Sequence, residues 1–186
     1  MKEYKREYPL FSLCGLNCGL CPRYQTKGES KCPGCGGYDF NLKHPTCAVI
    51  TCNKKYDQVE YCFQCSSFPC ERYSNPSKED SFISYRNVIT DFEKAKIDVL
   101  KQCKIELNEK IDFLEFLINN YNDGRRKSFY CNAVNLLKLN DLKVIMTEIN
   151  EKISKQDTNM KDKIKQIILL FDQQASKDNI NLKLRK

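Results

Sequence analysis

The 186-residue sequence lacks the parts of a hydrolase: it has a single histidine, His44, and no glycine-rich phosphate loop. A serine–histidine–acid set would have to be built on that one imidazole, and nothing is present to cradle a nucleotide phosphate. Long apolar runs are missing too, which excludes a membrane-spanning helix of about 20 residues. The first eight residues, Met1-Lys2-Glu3-Tyr4-Lys5-Arg6-Glu7-Tyr8, carry acids and no apolar stretch follows them, so no signal peptide can be drawn there. The expected product is a soluble protein of the reducing cytoplasm. No catalytic residue is assigned, and these absences lean away from an enzyme.

Large aliphatic residues are sparse between positions 10 and 75, with no sustained period of 2 or 3.6. The same span holds six of the seven glycines and four of the six prolines. A segment of this composition cannot offset its conformational entropy by apolar burial alone. Cysteine is what it has instead. Ten of the twelve, Cys14, Cys18, Cys21, Cys32, Cys35, Cys47, Cys52, Cys62, Cys65 and Cys70, fall within 57 residues. In a reducing compartment such a framework reads as metal ligands; a disulfide scaffold would need an export route that the sequence does not show. A structural zinc site supplies on the order of 10 kcal/mol, enough to replace the missing core.

Cys18/Cys21, Cys32/Cys35 and Cys62/Cys65 are Cys-x-x-Cys pairs, a spacing that turns two sulfurs toward one ion at about 2.3 Å. The simplest partition gives two zinc ions, one on Cys18, Cys21, Cys32 and Cys35, the other on Cys52, Cys62, Cys65 and Cys70. Cys14 or Cys47 could displace a ligand in that scheme, and a cross-braced grouping fits the spacings equally well. His44 reads more simply as a loop imidazole than as a ligand. Thiolate ligation also tempers the formal net charge of +7. Two four-cysteine zinc sites add eight negative and four positive charges, leaving about +3, which is no footprint of a dedicated nucleic-acid binder.

Cys14-Gly15-Leu16-Asn17-Cys18-Gly19-Leu20-Cys21-Pro22, Cys32-Pro33-Gly34-Cys35 and Tyr61-Cys62-Phe63-Gln64-Cys65-Ser66-Ser67-Phe68-Pro69-Cys70-Glu71-Arg72 resemble the motifs of the "domain of unknown function 3795" family. Its members are small cysteine-rich microbial proteins expected to bind zinc, and the resemblance implies a metal but no activity. The stretch from Asp123 to Leu137 is similar to a helical extension of some members. Cys14-x-x-x-Cys18-x-x-Cys21 also has the spacing of radical S-adenosylmethionine enzymes, but the alternating strands and helices of their barrel do not follow. An iron–sulfur cluster on some of these thiolates is the alternative cofactor, since it shares ligands with zinc.

Beyond the polar joint Tyr73-Ser74-Asn75-Pro76-Ser77 the pattern becomes helical. Tyr85, Val88, Phe92, Ala95 and Val99 form one stripe; Leu107, Ile111, Leu114, Ile118 and Tyr121 form the next, ended by Asn122-Asp123-Gly124. Val134, Leu136 and Leu137 mark a shorter helix. Asn140 is the expected cap of the stripe Leu142, Ile145, Met146, Ile149 and Ile153, and Thr158 that of Met160, Ile164, Ile167, Ile168 and Phe171. The expected architecture is therefore a small metal-stabilised cysteine-rich domain of knuckles over residues 1–75, followed by an all-α helical bundle over 76–186. The polar, basic tail from Lys177 is expected to fray.

Arg125, Arg126, Lys127 and Ser128 sit where a helix begins, and cations there oppose the helix dipole. An anion docked on the run would remove that cost, although charge runs are usually solvated. Cys103 and Cys131 read as small packing residues, with a reactive Cys131 thiol as the sharper alternative. Tyr24, Tyr38, Tyr56, Tyr61, Phe63 and Phe68 read as a minimal core around metal, or as platforms for nucleic-acid bases. Three functions follow: a zinc module engaging a protein partner, an iron–sulfur or thiol-based redox metalloenzyme, and a nucleic-acid-binding knuckle protein, which is less favoured.

Overall fold

The computed structural model describes residues 4–44, 46–75, 78–97 and 100–186. Met1 to Glu3, Pro76 and Ser77 of the expected joint, and Val99 of the first stripe lie outside the described residues. Among those described are eight α-helices and no strand: α1 (Phe40–Lys43), α2 (Ala48–Lys55), α3 (Glu71–Ser74), α4 (Val88–Ile97), α5 (Leu100–Asn120), α6 (Lys127–Leu136), α7 (Leu139–Glu148) and α8 (Met160–Lys177). No helix is long and apolar enough to cross a membrane among these residues.

The helical periods place their stripes inward. Val88, Phe92 and Ala95 of α4, Leu107, Ile111 and Leu114 of α5, and Ile164, Ile167 and Phe171 of α8 are all buried. Helix α5 packs against α4, α6 and α7. Helix α6 is buried without interruption from Tyr130 to Leu136, the mark of a helix surrounded by others. Two of its buried residues are polar, and both are satisfied. Asn132 accepts from the Ser84 N–H at 3.2 Å and donates to the Leu182 carbonyl. Asn135 donates to the Ser84 carbonyl at 3.2 Å and accepts from Asn17 at 3.0 Å.

Three expectations are corrected here. Asn140 is not a cap: Leu137 and Lys138 are extended, and α7 starts at Leu139 with the Lys138 carbonyl accepting from Leu142 at 3.1 Å. The cap of α8 is Asn159 rather than Thr158; its side chain accepts from the Asp162 N–H at 3.0 Å, a role asparagine fills better than threonine. The tail does not fray. Leu182 is buried in the core, Arg185 pairs with Asp80 at 2.7 Å, and Arg86 donates to the carbonyls of Asn181 and Lys183.

The cysteine-rich stretch is not without apolar anchorage. Phe11, Leu20 and Tyr61 belong to the same buried cluster as the bundle. Phe92 is the hub of that junction, with ring contacts to Phe11 at 5.8 Å, Phe63 at 5.1 Å, Phe68 at 5.7 Å and Tyr73 at 5.9 Å. A second, smaller cluster of Leu13, Cys35, Phe40 and Ile50 lies within the stretch itself.

Candidate metal centre

Two of the Cys-x-x-Cys pairs are built alike. Cys18–Leu20 and Cys62–Gln64 are single 3₁₀ turns, closed by N–H bonds from Cys21 to Cys18 at 3.0 Å and from Cys65 to Cys62 at 3.1 Å. The Cys62 N–H donates to Leu13 at 2.9 Å, which ties the second knuckle to the segment leading into the first. The first knuckle presses on α5 so closely that a Cβ on Gly19 would lie 2.3 Å from the Cδ1 of Ile111. The third pair turns through Gly34 at φ +82°, where a Cβ would meet the Pro9 carbonyl at 2.6 Å; the Cys35 N–H donates to that same carbonyl at 2.9 Å.

No disulfide joins the cysteines among the described residues. The thiols fall into neighbourhoods. Cys52, Cys62, Cys65 and Cys70 line one small hollow, of about 50 Å³, together with Tyr73. Burial pushes the Cys62 thiol up to about 11, against a hydrogen bond from Tyr73, with Cys14, Cys70 and Cys52 adding to the rise. Around the first knuckle, burial raises Cys14 and Cys18, and each is raised further by Cys35. Cys47 acts on Cys14 and Cys35, while Cys21 feels Cys32 and itself acts on Cys18. Cys14, Cys18, Cys35 and Cys47 thus lie within electrostatic reach of one another, and Cys14 also reaches Cys62. Among the described residues no three His, Cys, Asp or Glu side chains are gathered closely enough to hold a metal ion. The donor chemistry fits zinc all the same, since soft thiolates are its structural ligands.

Arg6 is the residue the sequence concealed. Its side chain is buried, salt-bridged to Glu60 at 2.9 Å, and lies over the Tyr61 ring at 4.7 Å. Burial raises the Cys35 thiol, and the Arg6 guanidinium pulls it back down. Nothing in the polar N-terminal octapeptide marked Arg6 apart from its neighbours.

The remaining candidates are placed as follows. His44 stacks on Phe40 with ring centroids 4.6 Å apart. Lys127 opens α6 and donates to the Thr26 hydroxyl at 2.9 Å, Arg126 pairs with Asp123 at 3.4 Å, and Arg125 and Ser128 are exposed. Asn122 and Asp123 take the backbone N–H groups of Arg126 and Arg125. Cys131 is fully buried, and burial raises its thiol far more than Lys127 lowers it, so the cationic run does not activate it. Tyr61, Phe63 and Phe68 pack into the core, whereas Tyr38 and Tyr56 stand exposed. Tyr24 is covered by Lys31 at 4.5 Å.

Fold and site together define a class: a cysteine-rich stretch, without strands among the described residues, seated on a helical bundle through a shared aromatic core. Residues 10–75 match the model of the family described as "Protein of unknown function (DUF3795)", and the chain resembles that family over this stretch. The match ends before Asp123 to Leu137. No curated protein and no solved structure matches the chain.

Proposed function

We propose that residues 10–75 are a structural thiolate metal module, holding about two zinc ions and shaping the segment for a protein partner. Ten thiols within 57 residues, two of their Cys-x-x-Cys pairs closed as matching 3₁₀ turns, carry the reading. A zinc ion on four thiolates bears a net charge of about −2, and the Arg6 guanidinium, itself paired with Glu60, lies close enough to Cys35 to favour its thiolate. In one centre Cys52, Cys62, Cys65 and Cys70 are the ligands. In the other they come from Cys14, Cys18, Cys21, Cys32, Cys35 and Cys47. With cysteine filling every coordination position the ion has no open site, so its role is to hold the fold. Tyr38, Leu42 and Tyr56, between 69% and 83% exposed, offer apolar contact surface on the same segment.

An iron–sulfur cluster on the same thiolates is the second reading, favoured by the shared donor set. Elemental analysis and a visible spectrum of the anaerobically purified chain separate the two. Stoichiometric zinc in a colourless protein is the expected result. Iron with sulfide in a brown protein overturns zinc in favour of a cluster, and the absence of any metal overturns both.

A further inference from the structure

A cleft of about 510 Å³ lies between α4, α5 and the end of α6, with Asn17 of the first knuckle in its wall. It owes nothing to the cysteines proposed as ligands. Four lysines and two carboxylates line it, over a floor that includes Phe11, Leu107 and Leu136. Asp91 stands on α4 and accepts from Asn17 at 3.0 Å. Lys110 stands on α5 and donates to the Leu137 carbonyl at 2.7 Å, at the end of α6.

Ordinary structural work accounts for part of this. A cation at a helix C-terminus meets the exposed carbonyls there. That bond, however, uses one of the three ammonium hydrogens of Lys110. Lys94 and Lys110 also repel each other across the cleft, and the lining carries more positive than negative charge. An apolar, concave space of this size with a few converging polar groups has the form of a small-molecule site.

We propose that the cleft binds a small organic anion with an apolar body, its acidic group held by Lys110 and Lys94. The apolar body rests on Phe11 and the leucines, and Asn17 fixes Asp91 so that it offsets one ammonium while leaving the other to the ligand. Burial draws the Lys110 amine down to about 8 and Lys94 lowers it further, against Asp91 and Glu106, so a bound carboxylate would raise it.

The test titrates the full, metal-replete chain with 2-naphthoate and with its neutral isostere 2-naphthamide, followed by ¹⁵N NMR. Saturable shifts at the amides of Asp91, Lys110 and Leu137 are expected with naphthoate, and at least tenfold weaker binding with naphthamide. Lys110→Met should weaken naphthoate at least tenfold. Thr90→Trp, at an exposed position on the cleft wall, should abolish binding without touching the core. Equal affinity for acid and amide, no saturable shift at these amides, or undiminished binding to the Thr90→Trp chain would overturn the proposal. The ligand comparison and the Thr90 variant decide the matter even if Lys110→Met does not fold.

Discussion

Phe92 and Gly19 hold the two portions of the chain together, from opposite extremes of side-chain size. Phe92 is fully buried among four aromatic rings, and Phe92→Ala should cost about 3–5 kcal/mol in urea denaturation. Gly19 must be small because Ile111 fills the space its side chain would take. Gly19→Ala is therefore expected to destabilise by about 1–3 kcal/mol, and adding Ile111→Val should return part of the loss; purely additive effects would mean that the two do not touch. Phe92 was legible, since it sits on a stripe of period 3.6. Gly19 was not, because the need for it arises from a helix nearly a hundred residues further along. Asp91 and Lys110 were not legible, because charged residues border the apolar stripe of any amphipathic helix.

Among the elements, the C-terminal segment departs most from its composition. Its polar residues suggest solvent, yet its carbonyls accept from Arg86 and Asn132, whose own positions gave no hint of a partner. Asp80 completes the attachment. Burial would raise its carboxyl, but the Arg185 side chain and backbone N–H hold it down to about 2. A carboxyl depressed in the folded state stabilises above its unfolded pKa, near 4, and that contribution is lost as pH falls toward 2. Hydrogen-exchange protection factors at Ile180 and Arg185, relative to the intrinsic rate at each pH, should fall over that interval, and Asp80→Asn should flatten the dependence while lowering protection at neutral pH. The helices themselves were readable from their periods, whereas their starts at Leu139 and Met160 were set by an extended dipeptide and by a competition between adjacent capping residues.

For the whole molecule, composition divides the chain at about residue 75, while burial joins it: Phe11, Leu20 and Tyr61 reach into the helical core. Spacing alone singled out the thiols as candidate ligands and left their grouping open, because a Cys-x-x-Cys turn would fix only two ligands and the choice of the second pair falls to tertiary packing. Cys52, Cys62, Cys65 and Cys70 share one hollow, and around the first knuckle Cys14 and Cys47 stand with Cys18 and Cys35. On the proposed reading the cysteine-rich stretch has two anchors of different kinds: aromatic packing on Phe92 through Phe11, Phe63, Phe68 and Tyr73, and metal farther out, where α1 and α2 have little to bury beyond Phe40 and Ile50.

Hydrogen exchange before and after treatment with a zinc chelator tests that division most directly. Removing metal should leave α5 to α8 protected, while α2 exchanges freely, and added zinc should restore it. Unchanged protection of α2 in the metal-free protein would contradict a metal-held module.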